Sequence, residues 1–230
     1  MKRYVVLFLM LCVSAVSWAA SAREDAVERL NKSSEVLREI MNAPDKGIPE
    51  EVLDGAKCVA VVPNMVKGGF VFGAQHGKGV ATCRLAPGRW SAPAFFTISG
   101  GSWGAQIGAE GVDLVMMIMN DEGMKNLLSS KFEIGGSASA AAGPVGRHAA
   151  AGTDWKLDTQ MLTYSRSKGA FAGITLNGSR IVQDDDSMKA IYGAGATQQA
   201  ALTGKLKTPP AAQPFIATVA RKKAAAEAKR

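Results

Sequence analysis

The sequence predicts an α+β fold: a strongly curled, mostly antiparallel sheet with an N-terminal helix and short flanking helices. Three observations lead there. Residues 23–43 carry apolar side chains at helical spacing and stop at Pro44. From Lys57 the texture changes to short apolar or alternating runs separated by Gly, Pro and Asn, which is strand punctuation. Several of the 25 glycines fall inside those runs, where a missing side chain permits sharp bends and the close approach of a second backbone.

The chain opens on "MKRYVVLFLMLCVSAVSWAASA": two cations, an apolar run from Tyr4 to Val16, then small residues ending at Ala20-Ser21-Ala22. That order is the pattern of a secretory signal peptide. It sets the expected boundaries at 1–22 for the leader, 23–204 for one domain and 205–230 for a Pro/Ala-rich linker with a basic tail. The expected destination is export, to a periplasm or cell envelope. In the helix that follows, Val27, Leu30, Leu37 and Met41 share one face with Ile40 at its edge, and Ser33 and Ser34 interrupt the stripe. Its polar face mixes acids and bases, so packing onto the domain is favoured over a membrane-surface role.

A short helix is expected from Ile48-Pro49 to about Asp54, with proline in its first turn. "CVAVVP", "GGFVFGAQ", "GVATCRL", "WSAPAFFTIS", "WGAQIGAE" and "VDLVMMIMN" then read as strands. "NDEGMKNLLSS" interrupts them with a helix that Asn120 or Asp121 is suited to cap. Asn177-Gly178 is a two-residue hairpin signal, "DDDSMKAIYG" a capped helix, and Thr197 to Leu202 a second helical piece. The segment after Lys205 is expected to be loosely ordered. Cys58 and Cys83 remain after the leader, and two cysteines in an exported chain more often pair than stay free, with two buried thiols as the alternative.

The formal net charge of +7 sits at the ends: +2 on Met1–Ala22 and +6 on Lys205–Arg230, which leaves −1 for residues 23–204. Within that body, Lys57, Lys67, Lys78, Arg84 and Arg89 all precede the first acid after Asp54, which is Glu110. A long acid-free, glycine-rich stretch favours an anionic partner. Aromatic residues are sparse beside the cations, which argues against nucleic acid.

"GGSWG" fits G-x-S-x-G, the nucleophile elbow, around Ser102. An elbow needs a helix directly after the serine. Gly104, Gly108 and Gly111 oppose one, at about 1 kcal/mol each, and His148 is the only histidine downstream. No catalytic residue, no metal site and no cofactor is therefore expected.

"AKCVAVVPNMVKGGFVFGAQHGKGVATCR", "WSAPAFFTISGGSWGAQIGAEGVDLVMMIMN", "GPVGRHAAAGTD" and "YSRSKGAFAGITLNGSRIVQDDDSMKAIYG" resemble the SYLF domain in order and spacing, over roughly Asp25 to Gly193. The resemblance implies a lipid-binding module without known catalysis. Eukaryotic relatives bind anionic phospholipids, including phosphoinositides, and some engage actin, while bacterial relatives are exported. Both cysteine positions match those of bacterial relatives, which supports a Cys58–Cys83 bridge. The basic tail lies outside the resemblance.

The leading expectation is then non-enzymatic binding of anionic phospholipid headgroups at the cell envelope. The donors would be amides of glycine turns with a cation beside them: Lys67 with Gly68 and Gly69, Lys78 with Gly79, and Arg166 and Lys168 with Gly169. The alternative is a structural or protein-interaction module of the envelope, its tail contacting envelope proteins or acidic polymers.

Overall fold

The runs between Lys57 and Gln183 form ten strands of one sheet. The computed structural model describes the backbone of residues 2–43, 47–69, 72–103, 108–144, 159–167, 170–172 and 176–227, with side chains from Ala20 to Ala220 except beside the gaps. In chain order the elements are α1 (Lys2–Asn42), α2 (Glu50–Gly55), β1 (Cys58–Gly69), β2 (Phe72–Leu85), β3 (Arg89–Trp90), β4 (Ala94–Trp103) and β5 (Gly108–Ile118). There follow α3 (Asp121–Leu128), β6 (Lys131–Glu133), β7 (Ala140–Ala142), β8 (Met161–Ser167), β9 (Ala170–Ala172) and β10 (Ser179–Gln183). The chain closes with α4 (Asp185–Tyr192), α5 (Gln198–Leu202), a 3-10 turn (Pro210–Ala212) and α6 (Gln213–Glu227).

The sheet runs β6-β10-β4-β2-β1-β5-β8-β7, with β3 on β2 and β9 on β8. Every pair is antiparallel except β7 with β8. The expected α+β class, curled sheet and flanking helices are all present. The hairpin β1–β2 lies inside a wider pair, with β4 on the far side of β2 and β5 on the far side of β1.

Curling comes from a bulge and from glycine. The β1 register shifts against β2 between Val61 and Val66, and against β5 between Val62 and Met65. Asn64 sits there at φ +50°, and its N–H donates to Asp113 Oδ1 at 2.9 Å. The kink pushes Val62 and Met65 over Gly77 and Gly79 on β2. A Cβ on Gly79 would meet Phe96 Cζ at 2.4 Å and the Val61 carbonyl oxygen at 2.8 Å. Glycine is there because no side chain fits.

The predicted helix over 23–43 is part of a continuous α1 that starts at Lys2. Leu30, Leu37 and Ile40 are buried as their spacing requires, and Val27 and Met41 pack at the margin of the core. Ser33 and Ser34 do not interrupt the stripe; both are buried, and Ser34 Oγ lies 2.8 Å from Thr218 Oγ1 of α6. Small residues at this point let the two helices come close.

That contact corrects the expectation of a loosely ordered tail. Pro209-Pro210 starts a 3-10 turn, α6 continues it, and Phe215 is fully buried beside Ala212. Proline suits a first turn because it has no N–H to leave unpaired, and one buried aromatic ring is enough to anchor the segment. The caps form as the sequence indicates with Asn120 on α3 and Asp184 on α4, and Thr197, expected inside the last piece, caps α5 instead. Asn177-Gly178 makes its turn, Gly178 at φ +80° and Ser179 N–H donating to the Leu176 carbonyl at 3.0 Å. Residues 173–175, the expected partner strand, lie outside the described residues.

Cys58 and Cys83 face each other across β1 and β2 and form a disulfide, both buried. The bridge spans 25 residues. A loop of that size removes about 3 kcal/mol of denatured-state entropy. Replacing both cysteines by alanine is expected to lower the unfolding free energy by about that amount, read by urea denaturation. A loss below about 1 kcal/mol would mean that the β1–β2 ladder alone holds the two strands.

Candidate functional site

Side chains alternate across a strand, and directly opposite residues project to one face. On β2, Gln75, Gly77 and Gly79 face inward and are buried, while Ala74, His76 and Lys78 face outward and are exposed. The ladder carries this outward set across the sheet. His76 pairs with Ser99 of β4, Ser99 with Arg180 of β10, and Arg180 with Glu133 of β6. One row over, Lys78 pairs with Thr97, Thr97 with Val182, and Val182 with Lys131. On the other flank His76 is opposite Val66, a valine left 49% exposed.

Neighbouring strands lie about 4.8 Å apart. His76 and Arg180 are therefore about 10 Å apart with the Ser99 hydroxyl between them. The outer face thus collects Lys78, Arg180 and Lys131 against Glu133, with an imidazole, two hydroxyls and an apolar flank. Hydroxyls between spaced cations can donate to, and be charge-matched by, phosphate oxygens.

Lys78 has one anionic neighbour, Asp184, with Nζ 3.6 Å from Oδ2. That carboxylate is already engaged. Arg29 of α1 donates to Oδ2 at 2.9 Å, Ser187 Oγ donates to it at 2.8 Å, and Ser187 N–H donates to Oδ1 at 3.1 Å. The Arg29 guanidinium also stands 5.5 Å from the Phe95 ring centroid. Burial alone would raise the Asp184 carboxyl, but the two Ser187 donors and Arg29 outweigh it and hold the carboxyl below its ordinary value. Two cations share one carboxylate, and the surplus charge falls on the exposed Lys78.

The residues expected to make the site are not brought together. Gly68, Gly69 and Gly79 lie in ladders of β1 and β2 rather than in turns, so their amides do not form a phosphate-binding nest. A Lys-Gly pair reads as a turn in sequence, whereas here glycine serves the curl of the sheet. Lys67 lies in a separate row, between Gln75 of β2 and Glu110 of β5. Burial pushes its amine below the usual lysine value, against the pull of Glu110. Arg166 on β8 is committed to Asp113, with Nε at 3.0 Å and NH2 at 2.6 Å, and to Glu39 of α1. Lys168 and Gly169 lie outside the described residues. Of the expected cations among the described residues, Lys78 alone sits on the exposed outer face.

His76, Arg180, Lys131, Ser99 and Thr97 escaped the sequence reading. Their signal was the parity of charged and hydroxyl residues along β2, β4 and β10, which is usable only once the strand order is known. Ser102 lies in β4 opposite Gly73, and the next element is a strand rather than a helix. Among the described residues Ser102 is not at a strand-to-helix corner, and residues 104–107 and His148 lie outside them.

The description "Ysc84: Las17-binding protein actin regulator" fits residues 99–222. The match reaches past Lys205, so much of the supposed tail lies within the matched region, in keeping with the docking of α6. The chain is 34% identical over 193 residues to Protein YSC84 of Saccharomyces cerevisiae, covering 80% of this chain and 41% of that protein. It is 34% identical over 175 residues to LAS seventeen-binding protein 3 of the same yeast, covering 75% and 38%. With SH3 domain-containing YSC84-like protein 1 of Homo sapiens it shares 33% over 167 residues, covering 70% and 48%. The chain spans roughly two-fifths to half the length of these relatives. They are yeast and human proteins; their names mention Las17 binding and an SH3 domain, and the family description adds actin regulation. That finding overturns the expected export to a periplasm or cell envelope.

Proposed function

The chain belongs to the Ysc84 (SYLF) family, and from that membership we propose that it is a non-enzymatic binding module whose outer sheet face receives anionic lipid headgroups. The observation that carries this reading is the placement of Lys78, Arg180 and Lys131 on one exposed face, where the carboxylates beside them are Glu133 and the Arg29-held Asp184. Val66 beside them offers an apolar contact to the lipid boundary. Ser102 within a strand ladder supports a binding role over hydrolysis.

Vesicle flotation tests the reading. The protein should float with vesicles containing phosphatidylglycerol at low salt, lose that recovery at high salt, and stay behind with neutral phosphatidylcholine vesicles. Each cation near an anionic surface contributes about 1 kcal/mol. The double variant Lys78→Gln/Arg180→Gln should therefore bind roughly thirtyfold more weakly, about 2 kcal/mol. Equal recovery on neutral vesicles would remove the headgroup reading.

A second reading, protein interaction, draws on the relatives named for Las17 binding. On this reading the same face contacts an acidic protein surface. Capture of such a partner that survives high salt and is indifferent to vesicles would favour it.

A further inference from the structure

From the position of His76 we infer that binding of this face to an anionic surface is tuned by pH, tightening as the pH falls from neutral to mildly acidic. The inference rests on the lipid-facing reading and adds its regulation. Imidazole is the side chain whose charge changes between pH 5 and 8. His76 is exposed, two residues before Lys78 on the same face and in one row with Ser99 and Arg180.

On the strand of His76 there is Lys78. On β1 the opposite residue is Val66, and on β4 it is Ser99, neither charged. Beyond Ser99 comes Arg180 of β10, then Glu133 of β6. From α1, Arg29 pairs with Asp184, which also stands beside Lys78, while Glu35 and Glu39 face Asp113 and Arg166. On β5, Asp113 is paired with Arg166. No carboxylate is directly opposite His76 in the ladder, so a proton on it adds a cation to the face instead of completing an ion pair.

The sign follows from linkage. An anionic surface favours the protonated imidazole, so binding takes up a proton and affinity rises as pH falls. One added cation is worth about fivefold in affinity near such a surface.

The experiment measures binding of the full chain to phosphatidylglycerol vesicles, whose phosphodiester stays ionised throughout, at pH 7.5 and pH 5.5. Wild type should bind about fivefold more tightly at the lower pH. His76→Gln should bind equally at the two pH values, and His76→Lys should also bind equally at both, more tightly than His76→Gln. A rise that persists in His76→Gln overturns the inference. Anionic-selective binding that is flat with pH in wild type overturns it too, and leaves the lipid reading intact. Binding that ignores vesicle charge at both values sinks the lipid reading itself.

Discussion

Asp184→Asn is expected to lower the free energy of unfolding by about 3–5 kcal/mol, the cost of stranding a buried charge. Asp184 ties four elements together. It caps α4, accepts from Arg29 of α1, stands beside Lys78 of β2, and its own N–H donates to the Phe95 carbonyl of β4. Arg29 is only 6% exposed. Without the carboxylate its guanidinium stays buried with Phe95 and the Ser187 hydroxyl, and neither carries a negative charge.

Asparagine separates the two roles of this side chain. It caps a helix about as well as aspartate does, so the loss reports the ion pair rather than the cap. The pH dependence gives a second reading. The folded carboxyl lies below its unfolded value. Its stabilisation is therefore complete above the ordinary carboxylate range, near pH ~4, and is lost as pH falls through the lower folded value. Urea unfolding of wild type should show that acid loss on top of the contribution of other carboxylates, and Asp184→Asn should lack it. A penalty under about 1 kcal/mol would show that Arg29 finds adequate solvation without Asp184.

Gly79→Ala is expected to cost about 2–3 kcal/mol, a large effect for one methyl group, because overpacking here has no outlet. The added Cβ would sit 2.4 Å from the Phe96 ring and 2.8 Å from the Val61 carbonyl oxygen. A ring can tilt, but a carbonyl inside the ladder cannot withdraw without breaking the β1–β2 pairing. Gly101→Ala is the control: its nearest atom, the Gly73 carbonyl oxygen, is 3.9 Å away. That change should stay within about 0.5 kcal/mol. Equal penalties at the two positions would mean that backbone entropy, not space, decides both.

The helix over 23–43, the strand runs and the caps were legible because they rest on local periodicity and on side chains that bond within a few residues. Arg29 was not. A cation in an amphipathic pattern reads as polar face, and its partner lies 155 residues away. The aspartates at 184–186 were legible as a cap, yet nothing local marked Asp184 as a hub. Phe215 was hidden in a Pro/Ala-rich setting where one ring carries the docking of α6. Among the site residues, Lys78 was visible because it stands in an acid-free run. Lys67 shares that run and Arg166 stood out beside Lys168-Gly169, but they meet Glu110 and Asp113 only through the register of β5. Arg180 and His76 become neighbours only when β10 is known to lie beside β4 and β4 beside β2.

The enclosure of β1–β2 between β4 and β5 has a kinetic consequence. The inner strands close a short loop and need no other strand to pair, whereas β4 and β5 have their templates only once that pair exists. Assembly is therefore expected to proceed outward from the middle, with β5 on β1 and β10 on β4 closing the long and costly loops. A defect in the innermost pair should slow every subsequent step, while one at the β6 or β7 margin should leave the nucleation rate unchanged.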